Sequence, residues 1–188
     1  MRLSTVLAVA TIALAGCSDS PPPAGLAAAP KGGDFVLQSS TGPLDTRSLR
    51  GQVLLVYFGY SHCPDICPAS LGYAAQALNQ LTPAERHRTK LILVSVDPER
   101  DTPARLKEYA AYFHPEMIGV TGTPAQIAAV AKQFGAGYAR QPTRPDGSYA
   151  VDHGAQLYAV APDGRLAAML DLGTPPEKIA DTVRGLLQ

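Results

Sequence analysis

Cysteine is scarce in this chain, with three residues among 188, so the position of each one carries information. Charge of either sign is balanced: 16 Lys and Arg residues accompany 16 Asp and Glu residues, for a formal net charge of zero. No basic run interrupts this balance, and we therefore expect no nucleic-acid partner. No internal repeat is present. Nor does the chain contain an apolar run of the roughly 20 residues that a membrane span requires.

The N-terminus carries a short apolar stretch, residues 3–14, preceded by the single basic residue Arg2. A stretch of this length followed by small residues is typical of an export signal rather than of a membrane span. Residues 14–17, with the sequence LAGC, resemble a bacterial lipobox, in which the cysteine is lipidated and becomes the first mature residue. We predict a lipoprotein signal peptide over residues 1–16 and a lipid on Cys17. The alternative is an ordinary signal peptide cut nearby.

The segment that follows, residues 17–33, is rich in Pro, Ala, Gly and Ser and has few large apolar side chains to pack into a core. We predict a lipid-anchored linker, which as a coil would span roughly 20–25 Å on average. Residues 34–188 suffice for one domain with a sizeable core. This organisation predicts a domain tethered to a membrane by its N-terminal lipid, on the periplasmic side of a bacterial cell envelope.

Apolar strands alternate with helices along the predicted domain. Residues 52–58 and 91–96 are continuous apolar runs, typical of strands buried on both faces. Residues 156–161 and 166–170 predict two further strands, joined as a hairpin by a Pro-Asp-Gly turn. A helix is expected to begin at Pro68, after the first buried strand. Alternation of this kind indicates an α/β layered fold.

Helix starts are marked by Thr-Pro pairs. Thr82, Thr123 and Thr174 each precede a proline and have Glu or Gln three residues on, which predicts three capped helices. Thr102 opens another helix without the Glu or Gln. The resulting order is a short β segment, β, α, β, α, α, a β-hairpin and a final α. This order matches the thioredoxin-like plan, a central mixed sheet flanked by helices.

Two of the three cysteines, Cys63 and Cys67, lie between the first buried strand and its helix. Each precedes a proline, which disfavours helical backbone at both cysteines. Cys67 lies near the predicted helix start, where free N–H groups and the helix dipole favour a thiolate. Such a pair suits a soft metal such as Cu(I), or reversible disulfide formation. A structural disulfide is a less favoured alternative, because a bridge across so short a loop constrains little of the unfolded chain. A structural zinc site is another, because it would need four ligands.

A third metal ligand would have to come from the four histidines. His87 lies in a charged stretch and is predicted to be solvated, and His114 is predicted to be a loop residue. His62 adjoins a cysteine, but neighbouring side chains in an extended segment point to opposite sides. His153 precedes a predicted strand whose start, in a thioredoxin-like sheet, lies opposite the cysteine loop. On that topology His153 is the candidate.

Three motifs make the chain resemble the Sco/SenC family of copper-binding, thioredoxin-like proteins that help to assemble cytochrome c oxidase. In order, they are FGYSHCPDICP at 58–68, VSVDPERDTP at 94–103, and VDH at 151–153, which is followed by Tyr158 and PDG at 162–164. The likeness covers nearly the whole domain. One departure is Gly154, where the family pattern leads us to expect a small hydroxyl residue.

The resemblance implies that Cys63, Cys67 and His153 are ligands of copper, as Cu(I), Cu(II) or both. It also implies that the protein delivers copper to the copper-bearing subunit of cytochrome c oxidase, with other copper chaperones or thiol reductases as further partners. The alternative is a thiol–disulfide oxidoreductase in which Cys63 and Cys67 are the redox pair and form a Cys63–Cys67 disulfide when oxidised. A peroxidase or redox-sensing role is a third hypothesis.

Four aspartates lie within these three motifs. Asp97 and Asp101 are predicted to be structural, with Asp101 capping the following helix, against a role beside the metal or a partner. Asp152 could orient the imidazole of His153, as carboxylates beside metal-bound histidines often do, or it could end a strand. Asp65 adds negative charge within the cysteine loop.

Overall fold

A five-stranded mixed sheet forms the centre of the computed structural model, which describes residues 30–188. The strands are β1 (Val36–Ser39), β2 (Gly42–Asp45), β3 (Val53–Gly59), β4 (Thr89–Ser95), β5 (Ile118–Val120), β6 (Tyr138–Arg140), β7 (Val151–His153), β8 (Leu157–Val160) and β9 (Leu166–Leu170). The α-helices are α1 (Ile66–Asn79), α2 (Pro83–His87), α3 (Pro103–Phe113), α4 (Pro124–Phe134) and α5 (Pro176–Leu187). The predicted signal peptide, Cys17 and most of the predicted linker lie outside the described residues.

Strand order in the central sheet is β5–β4–β3–β8–β9. Strand β3 runs parallel to β4 and antiparallel to β8, and β8 forms the expected hairpin with β9. Every residue of β3 is buried, as predicted for a strand covered on both faces. Tyr57 of β3 pairs with Leu157 of β8, so the end of β3 lies beside the start of β8.

Helices cover both faces of β3. The ring of Phe58 contacts the rings of Phe134 in α4 and Tyr158 in β8, each at a centroid distance of 5.6 Å. Because side chains alternate along a strand, the neighbouring Tyr57 faces the opposite layer, where α1 lies and packs against α5. Within residues 30–188, every helix falls short of the length and apolar character that a bilayer-spanning helix requires.

Helix α1 begins at Ile66, two residues before the predicted start at Pro68. Proline disfavours helical backbone at the residue before it, but Cys67 is helical all the same. Pro68 occupies the first turn, where a missing N–H removes no intrahelical hydrogen bond, so the helix includes Cys67. The segment between the cysteines is therefore half loop and half helix.

Three short pairings were not predicted individually. Strands β1 and β2 form a hairpin where one short β segment was expected, and β5 adds an edge to the central sheet. Strands β6 and β7 form a separate two-stranded ribbon, with Tyr138 opposite His153 and Arg140 opposite Val151. Strands of three or four residues carry too little periodicity to be predicted from sequence.

Three of the four predicted helix caps are confirmed. Thr82 and Thr123 form complete capping boxes, and the Thr102 hydroxyl accepts a hydrogen bond from the backbone N–H of Arg105. The prediction for Thr174 is wrong. A second proline takes the first helical position, so the cap falls on Pro175, and the Thr174 hydroxyl donates instead to the carbonyl of Asp171 at 2.7 Å.

Thr123, which caps a helix, and Thr174, which does not, give a matched test of the cap assignments. Thr123→Ala should lower the free energy of unfolding by about 1 kcal/mol, because it removes the acceptor for the N–H of Gln126. Thr174→Ala should cost clearly less, since that hydroxyl satisfies no helix N–H group. Urea unfolding of both variants measures the difference. Equal losses would contradict the assignment of the caps.

Candidate metal centre

The side chains of Cys63, Cys67 and His153 meet at one end of the central sheet. One potential ligand atom from each residue lies within 4.8 Å of the others. The Cys67 sulfur lies 3.2 Å from the His153 Nε2 atom. Among the described residues, this is the single group of three or more Cys, His, Asp or Glu side chains found with such spacing.

The cysteines are held by the junction between β3 and α1. Cys63 lies in the turn after the strand, where its backbone N–H donates to the carbonyl of Tyr60 at 3.2 Å. Cys67 lies in the first turn of α1 and is fully buried. Gly59 ends the strand directly beside it: a Cβ atom at Gly59 would come within 2.7 Å of the Cys67 sulfur. The absence of a side chain at Gly59 therefore makes room for this sulfur.

His153 reaches the cysteines from the last position of β7. Its Nδ1 atom lies 2.8 Å from the carbonyl oxygen of Gly154, and a carbonyl accepts, so Nδ1 carries the proton in this contact. The lone pair of Nε2 then faces Cys67, as a metal ligand requires. The rings of Tyr57 and Tyr60 stand edge-on to the imidazole, with centroids at 6.0 and 5.7 Å.

Asp152 does not orient this imidazole. Its carboxylate accepts a hydrogen bond from the side-chain amide of Gln141. The backbone of Gly154 supplies the acceptor instead. Because that acceptor is a carbonyl, the missing hydroxyl side chain at Gly154 removes no contact to the histidine.

Burial sets the protonation of the metal-free site. It raises the pKa of the Cys67 thiol well above its ordinary value, and it lowers the pKa of His153. The expectation that the helix start would favour a thiolate at Cys67 is therefore wrong for the metal-free site, because desolvation outweighs the dipole. At neutral pH the cluster presents a protonated Cys67 thiol beside a neutral imidazole. Cys63 and Cys67 are free thiols in this structure, and the predicted disulfide of an oxidised state stays a prediction.

Asp101 ties the cysteine loop to the sheet. It is completely buried and accepts hydrogen bonds from the Ser61 backbone N–H at 3.0 Å, the Ser61 hydroxyl at 2.5 Å and the Ser95 hydroxyl at 2.7 Å. Its predicted structural role is thus supported, but not as a helix cap, since Thr102 caps α3. Sequence reasoning did not identify Ser61, whose polar side chain in a loop carries no distinctive signal.

The remaining sequence candidates lie outside the cluster. His62 is exposed, with its Nδ1 atom 3.8 Å from an Asp101 oxygen. His87 is exposed on α2, as predicted. His114 is buried rather than a simple loop residue, and its Nδ1 atom accepts the backbone N–H of Glu116 at 3.2 Å. Asp65 is exposed at the cap position of α1, without a side-chain capping bond.

The fold and the site together define a thioredoxin-like domain with a Cys/Cys/His cluster at the junction of β3 and α1. Residues 23–188 match the family model described as SCO1/SenC. This chain belongs to the SCO1/SenC family, and the family and fold class predicted from the sequence are confirmed.

Known relatives agree with this assignment. The mitochondrial protein SCO2 homolog of Bos taurus is 39% identical over 155 residues, which cover 81% of this chain and 58% of the bovine protein. The structure of Bradyrhizobium japonicum ScoI with copper bound has a TM-score of 0.75 at 37% identity, covering 82% of this chain and 98% of that one. BsSco is a member of the Sco family of cytochrome c oxidase assembly proteins in which a disulfide switch was identified. Its TM-score is 0.66 at 28% identity, with 85% and 95% of the two chains covered.

Gly59 provides a direct test of how the site is packed. Gly59→Ala would place a methyl group 2.7 Å from the Cys67 sulfur and 2.9 Å from the Tyr57 ring, so one of them has to shift. We expect the free energy of unfolding of the reduced protein to fall by about 1–3 kcal/mol. The control is Gly72→Ala on α1, where a Cβ meets nothing within 4 Å and should stabilise the helix by up to about 1 kcal/mol. Equal stability of the two variants would contradict the close approach at Gly59.

Proposed function

We propose that this protein is a copper chaperone that binds copper through Cys63, Cys67 and His153 and delivers it to the binuclear copper site of cytochrome c oxidase. The observation that carries the proposal is the convergence of two sulfur atoms and one imidazole nitrogen within 4.8 Å. The copper bound to Bradyrhizobium ScoI and the role of BsSco in oxidase assembly support it from related proteins.

The donor set favours copper on chemical grounds. Thiolates select soft Cu(I), and an added imidazole allows the same site to hold Cu(II). Three protein ligands leave a position open for a ligand from the receiving protein, which a transfer step requires. Binding also displaces the proton of the Cys67 thiol, so the affinity for copper should rise with pH.

Access to the site is partial, which suits a cargo that has to leave. Cys67 is buried, whereas His153 is half-buried and lines a shallow depression of about 310 Å³ with Gly137, Tyr138, Ala139 and Asp152. A partner that approaches over this depression would meet the histidine before the cysteines. We infer that copper is handed over from the histidine side.

The predicted anchor fits this role. A lipid on Cys17 would hold the protein at a membrane of the cell envelope, and the predicted linker over residues 17–33 would let the domain reach a membrane-bound oxidase. The described residues begin at Pro30, and the first strand of the domain follows at Val36.

A thiol–disulfide oxidoreductase is the second candidate function. It is favoured by two free thiols held close together on a rigid strand–helix junction, and by the disulfide switch of the related BsSco. The substrate would be the oxidase cysteines that receive copper, or other exported thiols. Dithiol exchange has no inherent need for His153, whereas a copper site of three ligands does, so this residue separates the two functions.

Copper titration of four variants tests the proposal. We expect His153→Ala to weaken Cu(II) binding by about 100-fold or more, because loss of a mere outer-shell partner already costs about 10–100-fold. Cu(I) binding should persist in His153→Ala and be lost in Cys63→Ser and Cys67→Ser. The matched control is His62→Ala, since His62 adjoins Cys63 but lies outside the cluster.

The same variants separate the two functions. Unchanged Cu(II) affinity in His153→Ala would exclude the three-ligand site. If, in addition, metal-free His153→Ala reduced an oxidised client peptide from the oxidase as fast as the wild type, the oxidoreductase would become the better account. A reduction potential too high to reduce that peptide would exclude the oxidoreductase.

A further inference from the structure

An aromatic ring clamped between two arginines lies next to the ribbon that carries His153. The ring of Tyr149 has the guanidinium carbon of Arg100 3.6 Å from its centre and that of Arg140 3.9 Å from its centre. Stacked guanidinium groups are attracted to the electron-rich face of a tyrosine ring. Tyr149 stands two residues before the start of β7, and Arg140 ends β6.

Arg100 fixes Tyr149 to the main sheet through Asp97. The Asp97 carboxylate is buried two residues after the end of β4 and accepts from Arg100 Nε at 2.5 Å and from the Tyr149 hydroxyl at 2.8 Å. Arg100 also donates from an Nη1 atom to the backbone carbonyl of Tyr149 at 3.0 Å. Glu99 Oε2 also lies 3.2 Å from the Tyr149 hydroxyl. The ring, the hydroxyl and the backbone of Tyr149 are thus all held by residues of the 97–100 turn.

Burying this ion pair costs desolvation free energy, which packing alone would not require. Asp97 is almost wholly buried, and the Arg100 side chain is only 22% exposed, so the pair has lost most of its hydration. A desolvated ion pair is offset only when further hydrogen bonds and contacts complete it. Tyr149 provides two such hydrogen bonds and a stacking contact, while the buried Nη2 atom of Arg100 has no hydrogen-bond partner. These contacts tie the charge pair to the position of the ribbon.

A second contact passes from Arg100 to His153 through Tyr60. The guanidinium carbon lies 5.5 Å from the centre of the Tyr60 ring, and that ring meets the imidazole of His153 edge-on at 5.7 Å. The Tyr60 hydroxyl accepts the backbone N–H of Val151 at 3.2 Å. Tyr60 therefore holds the ribbon at Val151, two residues before His153. Asp97 and Arg100 hold the chain at Tyr149, two residues earlier still.

We propose that Asp97, Arg100 and Tyr149 form a latch that positions His153 over the cysteines, and that this latch controls how long the site retains Cu(II). The inference rests on the proposed role of His153 as a copper ligand. The ribbon of β6 and β7 is not part of the central sheet. The pairing of these two strands and the latch therefore fix the position of the imidazole. Two thiolates suffice for Cu(I), whereas Cu(II) also needs the imidazole, so loss of the latch should affect Cu(II) selectively.

Arg100→Gln and Tyr149→Ala test the latch in the full-length chain. We expect Cu(II) to dissociate about 10-fold faster or more, as for other residues that orient a metal-bound histidine. The histidine nitrogen signal in the Cu(II) EPR spectrum should weaken, and Cu(I) dissociation should be unchanged. Arg100→Lys should give an intermediate rate, because an ammonium keeps the ion pair but cannot bind the ring and the carbonyl together. Tyr149→Phe keeps the stacked ring, and it should therefore retain most of the histidine nitrogen signal that Tyr149→Ala loses.

Matched controls remove a tyrosine or an arginine elsewhere. Tyr112→Ala changes a tyrosine that is 84% exposed on α3, and Arg165→Gln changes an arginine whose side chain is 67% exposed in the β8–β9 turn. Both should bind copper as the wild type does. If Tyr149→Ala does not fold, Arg100→Lys decides the question.

Two results would overturn the latch. One is a wild-type Cu(II) spectrum and dissociation rate in Arg100→Gln and Arg100→Lys. The other is an equal loss of Cu(I) and Cu(II), which would indicate general loosening of the fold. A wild-type spectrum without any histidine nitrogen would instead refute the ligand role of His153, and with it the proposed three-ligand site.

Discussion

Strand β3 pairs with β8 in the antiparallel sense, with Tyr57 opposite Leu157, and this brings two segments far apart in sequence to one end of the sheet. The junction between β3 and α1 carries Cys63 and Cys67, and the segment before β8 carries His153. Gly59 permits the last step of this approach, because any side chain there would collide with the Cys67 sulfur. The pairing of the strands therefore brings the two segments together, and the absence of a side chain at Gly59 leaves room for the Cys67 sulfur.

The turn after β4 supports both halves of the site with two buried carboxylates. Asp101 holds the cysteine loop through Ser61, and Asp97 holds the histidine ribbon through Arg100 and Tyr149. The thiols and the imidazole are thus preorganised although the metal-free site is neutral at Cys67 and His153. Burial disfavours the thiolate of the empty site. On the proposed binding of copper, the Cys67 proton would leave and the charge of the cation would compensate that of the buried thiolate.

The buried strands, the β8–β9 hairpin and three of the four helix caps were predictable because each depends on local pattern or capping chemistry. The meeting of His153 with Cys67 needed the topology as well as the resemblance to known proteins. The latch could not be predicted, since the stacking of Arg100 and Arg140 on Tyr149 joins three segments through contacts that leave no periodic signal. Of the two roles considered for Asp152, the orientation of His153 falls to the Gly154 carbonyl instead, since neighbouring side chains of a strand point to opposite faces.

The proposed copper site makes one central claim, that two thiolates and the His153 imidazole bind the same copper ion. X-ray absorption at the copper edge of the Cu(II)-loaded wild-type domain, with His153→Ala beside it, tests that claim most directly. We predict two sulfur neighbours and one imidazole nitrogen in the wild type, and loss of the imidazole contribution alone in the variant. A wild-type spectrum with sulfur but no imidazole, or one that His153→Ala leaves unchanged, would contradict it.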